Sequence, residues 1–253
     1  MRLLIFSIPI LLIPLFFLWR LRTGLVKAML VATLRMIVQL AFISIYLRYL
    51  FEWNNPWVNM LWVIIMALIA THTTVSRTSL PRSIAAVPVF VGMFVAAVLV
   101  GGYTLAVVMG LDNVFAAQYF IPIMGILFGN MLGVNVVALS TFYRDLQHGQ
   151  AAYYYYLGNG LSRFDALLPF LREGVVKSFS PCIANMAVMG IVALPGTMIG
   201  QILGGQSPGI AVQYQLVITV ITLVASMVSL MLAVWLSSRR AFDEWGRLRA
   251  NIK

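Results

Sequence analysis

The chain has 253 residues, 62% of them hydrophobic and 9% charged, and its mean hydropathy is +0.96. A soluble domain carries about 25% charged residues, so this composition excludes a soluble enzyme, a disordered tail and a collagen-like rod. The net charge of +10, from 17 basic and 7 acidic residues, reflects a shortage of acids and not the dense basicity of a nucleic-acid-binding protein; what remains is a polytopic membrane protein.

A bilayer core takes about 20 apolar residues per helix, and seven stretches approach or exceed that length. The first, Leu3–Trp19, is preceded only by Arg2 and followed at once by Arg20, Arg22 and Lys27 with no small-residue cleavage site. It therefore reads as an uncleaved helix and not a signal peptide. Ala28–Leu47 is apolar apart from Arg35, and Trp57–Val75, Ile84–Met109, Phe120–Phe142, Cys182–Leu203 and Gln215–Leu236 follow. None shows the alternation of a barrel strand. With the N-terminus outside, the basic residues of the loops and tail fall inside, except for Arg2 and Arg48, which obeys the positive-inside rule. The predicted fold class is an all-α integral membrane protein of about seven transmembrane helices. Its C-terminus is cytoplasmic, and residues 1–253 form a single transmembrane domain. Trp53, Trp57 and Trp235 fall at the expected interfaces, and the tail from Arg239 reads as a basic surface helix on anionic lipid.

One connection is long. Residues 144–181 are too polar to span and read as a helical cytoplasmic segment. Gly158-Asn159-Gly160 marks a turn. Ser162 and Asp165 form a capping box, and Phe164, Leu167, Leu168, Leu171 and Val175 make an apolar stripe at helical spacing. Pro169 is expected to kink this helix, and the chain is expected to re-enter the membrane at Pro181. The pattern fits either a helix lying on lipid or a docking element for a cytoplasmic partner.

Candidate pathway residues are the polar groups within the spans. Arg35 is an intramembrane charge, with Gln39 four residues on. Asn130, Asn135 and Asn185 are amides that need partners in a dry bilayer. Pro195 and Gly196 break the sixth stretch and free backbone carbonyls, which membranes tolerate only inside protein or along a cavity; Met198 and Gln201 follow on the same segment. Met186, Met189 and Met198 cluster near the break as possible soft-metal ligands, with packing as their plainer role. His72, among Thr71, Thr73 and Thr74, is a further metal candidate. Cys182 is the single cysteine, so an internal disulfide is excluded. No nucleophile–base pair suited to an intramembrane enzyme is visible. Only one helix is clearly broken, against the paired breaks of inverted-repeat secondary transporters.

The segment from Leu194-Pro195-Gly196-Thr197-Met198-Ile199-Gly200-Gln201 to Gly204-Gly205, with Pro208, Ala211, Tyr214 and Gln215, resembles the signature of the FetB (YbbM) family. These are permease subunits of ABC transporters. Arg35 with Gln39-Leu40, Ile121-Pro122-Ile123 with Gly125 and Gly129-Asn130, and Gly160-Leu161-Ser162 with Ala166, Arg172 and Pro181 resemble three further family elements, in order. Thr197 and Ile199 stand where the family usually has Met and a hydroxyl residue. Ala184 and Ala187 stand where some relatives have Asp and Lys, and Tyr153–Tyr156 where an acid often precedes the Gly turn. The resemblance implies a permease in a bacterial inner membrane, without enzymatic activity of its own, exporting a metal ion such as iron. Family relatives also suggest another solute such as a nucleotide sugar, and an ion-coupled secondary transporter is the remaining alternative. The chain has no phosphate loop, so the resemblance implies no cofactor on this chain and ATP with Mg on a partner ATPase. That subunit would dock on Gly160, Ser162, Arg163, Ala166, Arg172 and Glu173, and two permeases would assemble with two ATPases.

Overall fold

The computed structural model describes residues 8–78, 80–243 and 247–248. Arg2, the start of the Leu3–Trp19 stretch, and Arg249 and Lys253 of the tail lie outside these. Among the described residues the chain is helical, apart from two isolated bridges. Five helices are long and apolar enough to cross a membrane: Val26–Trp53, Pro56–Arg77, Arg82–Val108, Ala117–His148 and Pro208–Ala241. In chain order the helices are α1 (Leu12–Arg20), α2 (Val26–Trp53), α3 (Pro56–Arg77), α4 (Arg82–Val108), α5 (Ala117–His148), α6 (Gln150–Gly158), α7 (Arg163–Val188), α8 (Gly196–Leu203) and α9 (Pro208–Ala241).

The chain divides into two compact units, Met1–Asn54 and Asn55–Lys253. In the first, α1 packs on α2 across a turn in which Arg22 and Gly24 take left-handed backbone. Asn54, also left-handed, ends α2, a conformation asparagine tolerates better than most residues. Nearly the whole surface of α2 is exposed apolar side chain.

The second unit is built on α5 and α9. α3 and α7 pack on α5, α4 packs on α3 and α9, and α5 and α9 pack on each other. Asn55 caps α3 through the Trp57 amide at 3.0 Å, with Pro56 at the first helical position, where its missing N–H costs nothing. Lipid is as apolar as leucine, so helices in a membrane associate through close backbone approach and polar contacts. α9 is built that way. Ala225, Ser229, Ala233, Ser237 and Ala241 recur every four residues and all are buried. Gly92 of α4 lies so near that a Cβ there would sit 2.7 Å from the Ser229 carbonyl oxygen. Asn135 of α5 donates to the Ser229 hydroxyl at 2.8 Å, and the Tyr143 hydroxyl donates to Ser237 at 2.7 Å. α4 widens into π-helical turns at Ala97–Gly101 and Thr104–Val108, and Gly101 makes room there for the Met124 thioether.

Three expectations need correction. The stretch Cys182–Leu203 is broken, as expected, but the break reaches well before Leu194-Pro195-Gly196. α7 ends at Val188, and the chain turns through Gly190, whose φ of +87° suits glycine. α8 begins only after Pro195. The break therefore starts at Met189, five residues before Leu194. The amphipathic helix does not stop at Pro181 either: α7 runs unbroken from Arg163 to Val188 with Pro169 and Pro181 inside it. Packing on α5 sustains it, with Ala166, Leu167, Gly174, Ser178 and Phe179 buried. At 1.5 Å per residue it is about 39 Å long. Finally, the basic tail does not start a new helix at Arg239. Arg239 and Arg240 form the last turn of α9, where positive charge suits the helix dipole, and Phe242 then pairs with Leu248.

The capping expectation at Ser162 agrees with the structure. Its hydroxyl accepts from the Asp165 amide at 3.2 Å and donates to the Asp165 carboxylate at 2.6 Å. Ser162→Ala is expected to lower stability by about 1 kcal/mol, read as a lower unfolding temperature in detergent. An unchanged temperature would show that the cap contributes nothing.

Candidate functional site

Where α7 breaks, the second unit holds a cavity of about 410 Å³. α5 contributes Gly129 and Asn130 to its wall, and α7 contributes Cys182, Asn185 and Met186. Met189 enters from the turn and Thr197 from the start of α8, while α9 supplies Gln215, Thr219, Thr222 and Ser226. The rest of the wall is apolar. Among the described residues no Asp, Glu, Lys, Arg or His lines it. Asn185, Met186 and Thr197 are exposed, so the cavity is open along that side.

Gln215 is the hub. It is buried, and its Oε1 accepts from the Thr197 hydroxyl, which ties α8 to α9 across the break. Its Nε2 donates to Thr219 Oγ1 at 3.1 Å and lies 4.0 Å from the Met189 sulfur. Thr219 Oγ1 in turn lies 3.5 Å from that sulfur and 2.8 Å from the Gln215 carbonyl oxygen. A polar chain thus runs from α8 through α9 to the turn after α7. Asn130 bonds back to its own helix, its Nδ2 donating to the Ile126 carbonyl at 2.9 Å. Cys182 Sγ sits 3.7 Å from the Ser178 carbonyl.

The structure thus brings together Asn130, Asn185, Met186 and Met189 of the expected residues, with Pro195 and Gly196 delivering Thr197 to the same wall. Asn135 goes elsewhere, to Ser229 between α5 and α9. Met198 and Gln201 do not line the cavity, and Gln201 Oε1 is buried without a partner. His72 is exposed on α3, away from these walls. Arg35 and Gln39 are exposed on α2 in the other unit. Among the described residues no three of His, Cys, Asp and Glu cluster as a metal site. Sequence reading passed over Thr197, Gln215, Thr219 and Thr222 as pathway residues. The available signal was a polar stripe, since Gln215, Thr219, Thr222 and Ser226 follow one another at helical spacing.

At the other end of α7, Gly160 has φ +85° and sets the elbow between α6 and α7. Arg163 donates to the Ser238 carbonyl at 2.8 Å and lies 4.3 Å over the Phe242 ring, a cation–π contact. Phe242 also packs on Tyr153, ring centroids 5.4 Å apart. Burial holds the Tyr153 phenol above its ordinary pKa, and the Arg163 charge opposes that rise. Arg163 is therefore engaged with the end of α9. Ala166 is fully buried, whereas Arg172 is exposed. Glu173 pairs with Lys177 at 3.1 Å, and Lys177 reaches Asp145 of α5 at 3.8 Å.

These features define a polytopic helical membrane protein with an uncharged polar cavity at a broken helix. Residues 1–242 match the uncharacterised protein family UPF0014, and the chain belongs to that family. It is 32% identical to the "UPF0014 membrane protein STAR2" of Oryza sativa subsp. japonica, over 85% of this chain and 74% of that protein. It is 27% identical to the "UPF0014 membrane protein YjkA" of Bacillus subtilis, over 95% of this chain and 94% of the relative. It is also 26% identical to the "Probable iron export permease protein FetB" of Escherichia coli, over 83% of this chain and 79% of that protein. No solved structure matches the chain.

Proposed function

We propose that this chain is the membrane permease subunit of an ABC transporter that exports a metal ion, driven by a separate ATPase subunit that carries ATP and Mg. The observation that carries this reading is α7. A single helix begins just after a glycine elbow at Gly160, carries exposed Arg172 and Glu173 about two and a half turns along, and ends on the wall of the polar cavity. Force applied at the elbow reaches the cavity through a rigid rod. The name of the Escherichia coli relative makes iron the first cargo to assay.

In this reading the five long helices cross the membrane, α1 makes the first crossing, and the α7–α8 segment makes the sixth. The N-terminus is outside and the C-terminus cytoplasmic, in a bacterial inner membrane. Two permeases and two ATPases form the complex. The cavity walls argue against the alternatives. A nucleotide sugar needs cationic partners for its diphosphate, and no Lys or Arg lines the cavity. A proton- or sodium-coupled carrier ordinarily places a carboxylate in its path, and none lines this one.

The test is co-expression with the candidate ATPase and ATP-driven metal transport into inverted vesicles. The Gly160→Pro, Arg172→Glu double variant is expected to lose ATPase association and at least about tenfold in transport, equivalent to about 1.4 kcal/mol. Full activity in that variant, or an ATPase that never co-purifies, would overturn the proposal.

A further inference from the structure

We infer that the cavity selects a soft, singly charged cation of the Cu(I)/Ag(I) class, held by the sulfur atoms of Cys182, Met186 and Met189. The inference rests on reading this cavity as the substrate path. Cys182 and Met186 are four residues apart on α7 and so share a helix face, and both line the cavity. Met189 reaches the same space from the turn after α7, with its sulfur fixed beside Thr219. Three sulfur-bearing side chains from eight residues of chain therefore line one open space.

The cavity's charge decides which ion suits it. A di- or trivalent hard ion taken out of water needs carboxylates, or several of them, to offset its desolvation. This wall offers none, and no His. A singly charged soft ion needs only one compensating charge. The Cys182 thiol supplies it by giving up its proton when the ion binds, because the thiolate is the ligating form. The net change is one cation in and one proton out, which leaves the site neutral. Two thioethers complete a three-sulfur set of the kind that soft cations prefer. The neighbouring oxygens fit a second shell. When the Met189 sulfur turns to the ion, Thr219 keeps its bond to the Gln215 carbonyl, and Gln215 keeps Thr197.

The experiment is titration of the purified full chain in nanodiscs with Ag(I), and with Cu(I) against a chromophoric competitor, alongside Fe(II) and Mn(II). One Ag(I) or Cu(I) per chain is expected, bound at least tenfold more tightly than Fe(II) or Mn(II). Cys182→Ser, Met186→Leu and Met189→Leu should each weaken binding at least tenfold, and Met198→Leu should leave it unchanged. Proton release on binding should fall from one per ion to none in Cys182→Ser. Tighter binding of Fe(II), or Ag(I) binding indifferent to all three substitutions, would overturn the assignment. The two proposals fail separately. A chain that binds Ag(I) through these sulfurs yet associates with no ATPase keeps the site and loses the permease reading. A chain that associates with an ATPase but binds no soft ion loses only the site.

Discussion

Replacing Gln215 with leucine is expected, on the proposed permease reading, to reduce transport at least about thirtyfold while the protein still folds. Gln215 is buried and joins α8, α9 and the turn after α7 through Thr197, Thr219 and Met189. Leucine fills about the same space but removes the bonds to Thr197 and Thr219, and a hydrogen bond of this kind contributes a net of about 0.5–1.5 kcal/mol. Removing the bonds to Thr197 and Thr219 together costs about 2 kcal/mol, which corresponds to the thirtyfold effect. Because neither α4 nor α5 holds this side chain through a hydrogen bond, the helical bundle should survive. Metal efflux and an unfolding curve separate the two effects. Normal transport in Gln215→Leu would show that the broken helix needs no tie to α9. Gln215→Glu keeps the length and adds a charge beside the cavity, and is expected to shift binding toward divalent ions.

Gly174→Leu is expected to be the most damaging single change for folding. A Cβ at Gly174 would lie 2.9 Å from the Ala138 carbonyl oxygen and 3.6 Å from the Phe142 side chain, so α7 meets α5 backbone to backbone at this point. Overpacking of this kind costs about 1–3 kcal/mol and more when the obstacle is main chain. Alanine should cost less than leucine, because only one atom must be accommodated. Helix separation should also misplace Cys182 and Met186 against the Asn130 wall. Thermal unfolding in detergent of the Gly, Ala and Leu series checks the ranking; equal melting temperatures for all three would mean that α7 moves freely on α5.

The spans could be read from sequence because a bilayer imposes a minimum apolar length, and Val26–Trp53, Pro56–Arg77, Ala117–His148 and Pro208–Ala241 enclose four of the expected stretches. The cap at Ser162 was equally readable, since it depends on residues three apart. The limits of α7 were not. Its continuity through Pro169 and Pro181 depends on burial against α5, and nothing local in the chain records that contact. The break was visible at Pro195, but its true start depends on the left-handed backbone of Gly190, one glycine among 19. The candidate site was half readable. Methionines and asparagines near the break stood out by type, whereas Gln215 and Thr219 look like ordinary residues of an apolar helix until Thr197 is placed beside them. Arg163 is the opposite case. Sequence marked it for an external partner, and folding spends it on Ser238 and Phe242.

That engagement fixes where motion can occur. Arg163 fastens the start of α7 to the end of α9, so these two helices share a pivot at that end. Among the described residues, their distant portions, which carry Cys182, Met186, Gln215 and Thr219, meet in polar contact only through Met189, which reaches Gln215 and Thr219. Over a rod of about 39 Å, a tilt of about 5° displaces the far end by about 3 Å, comparable to the diameter of a bare ion. If α7 tilts about this clasp, a rotation of that size would change the width of the cavity without breaking the Arg163 contacts.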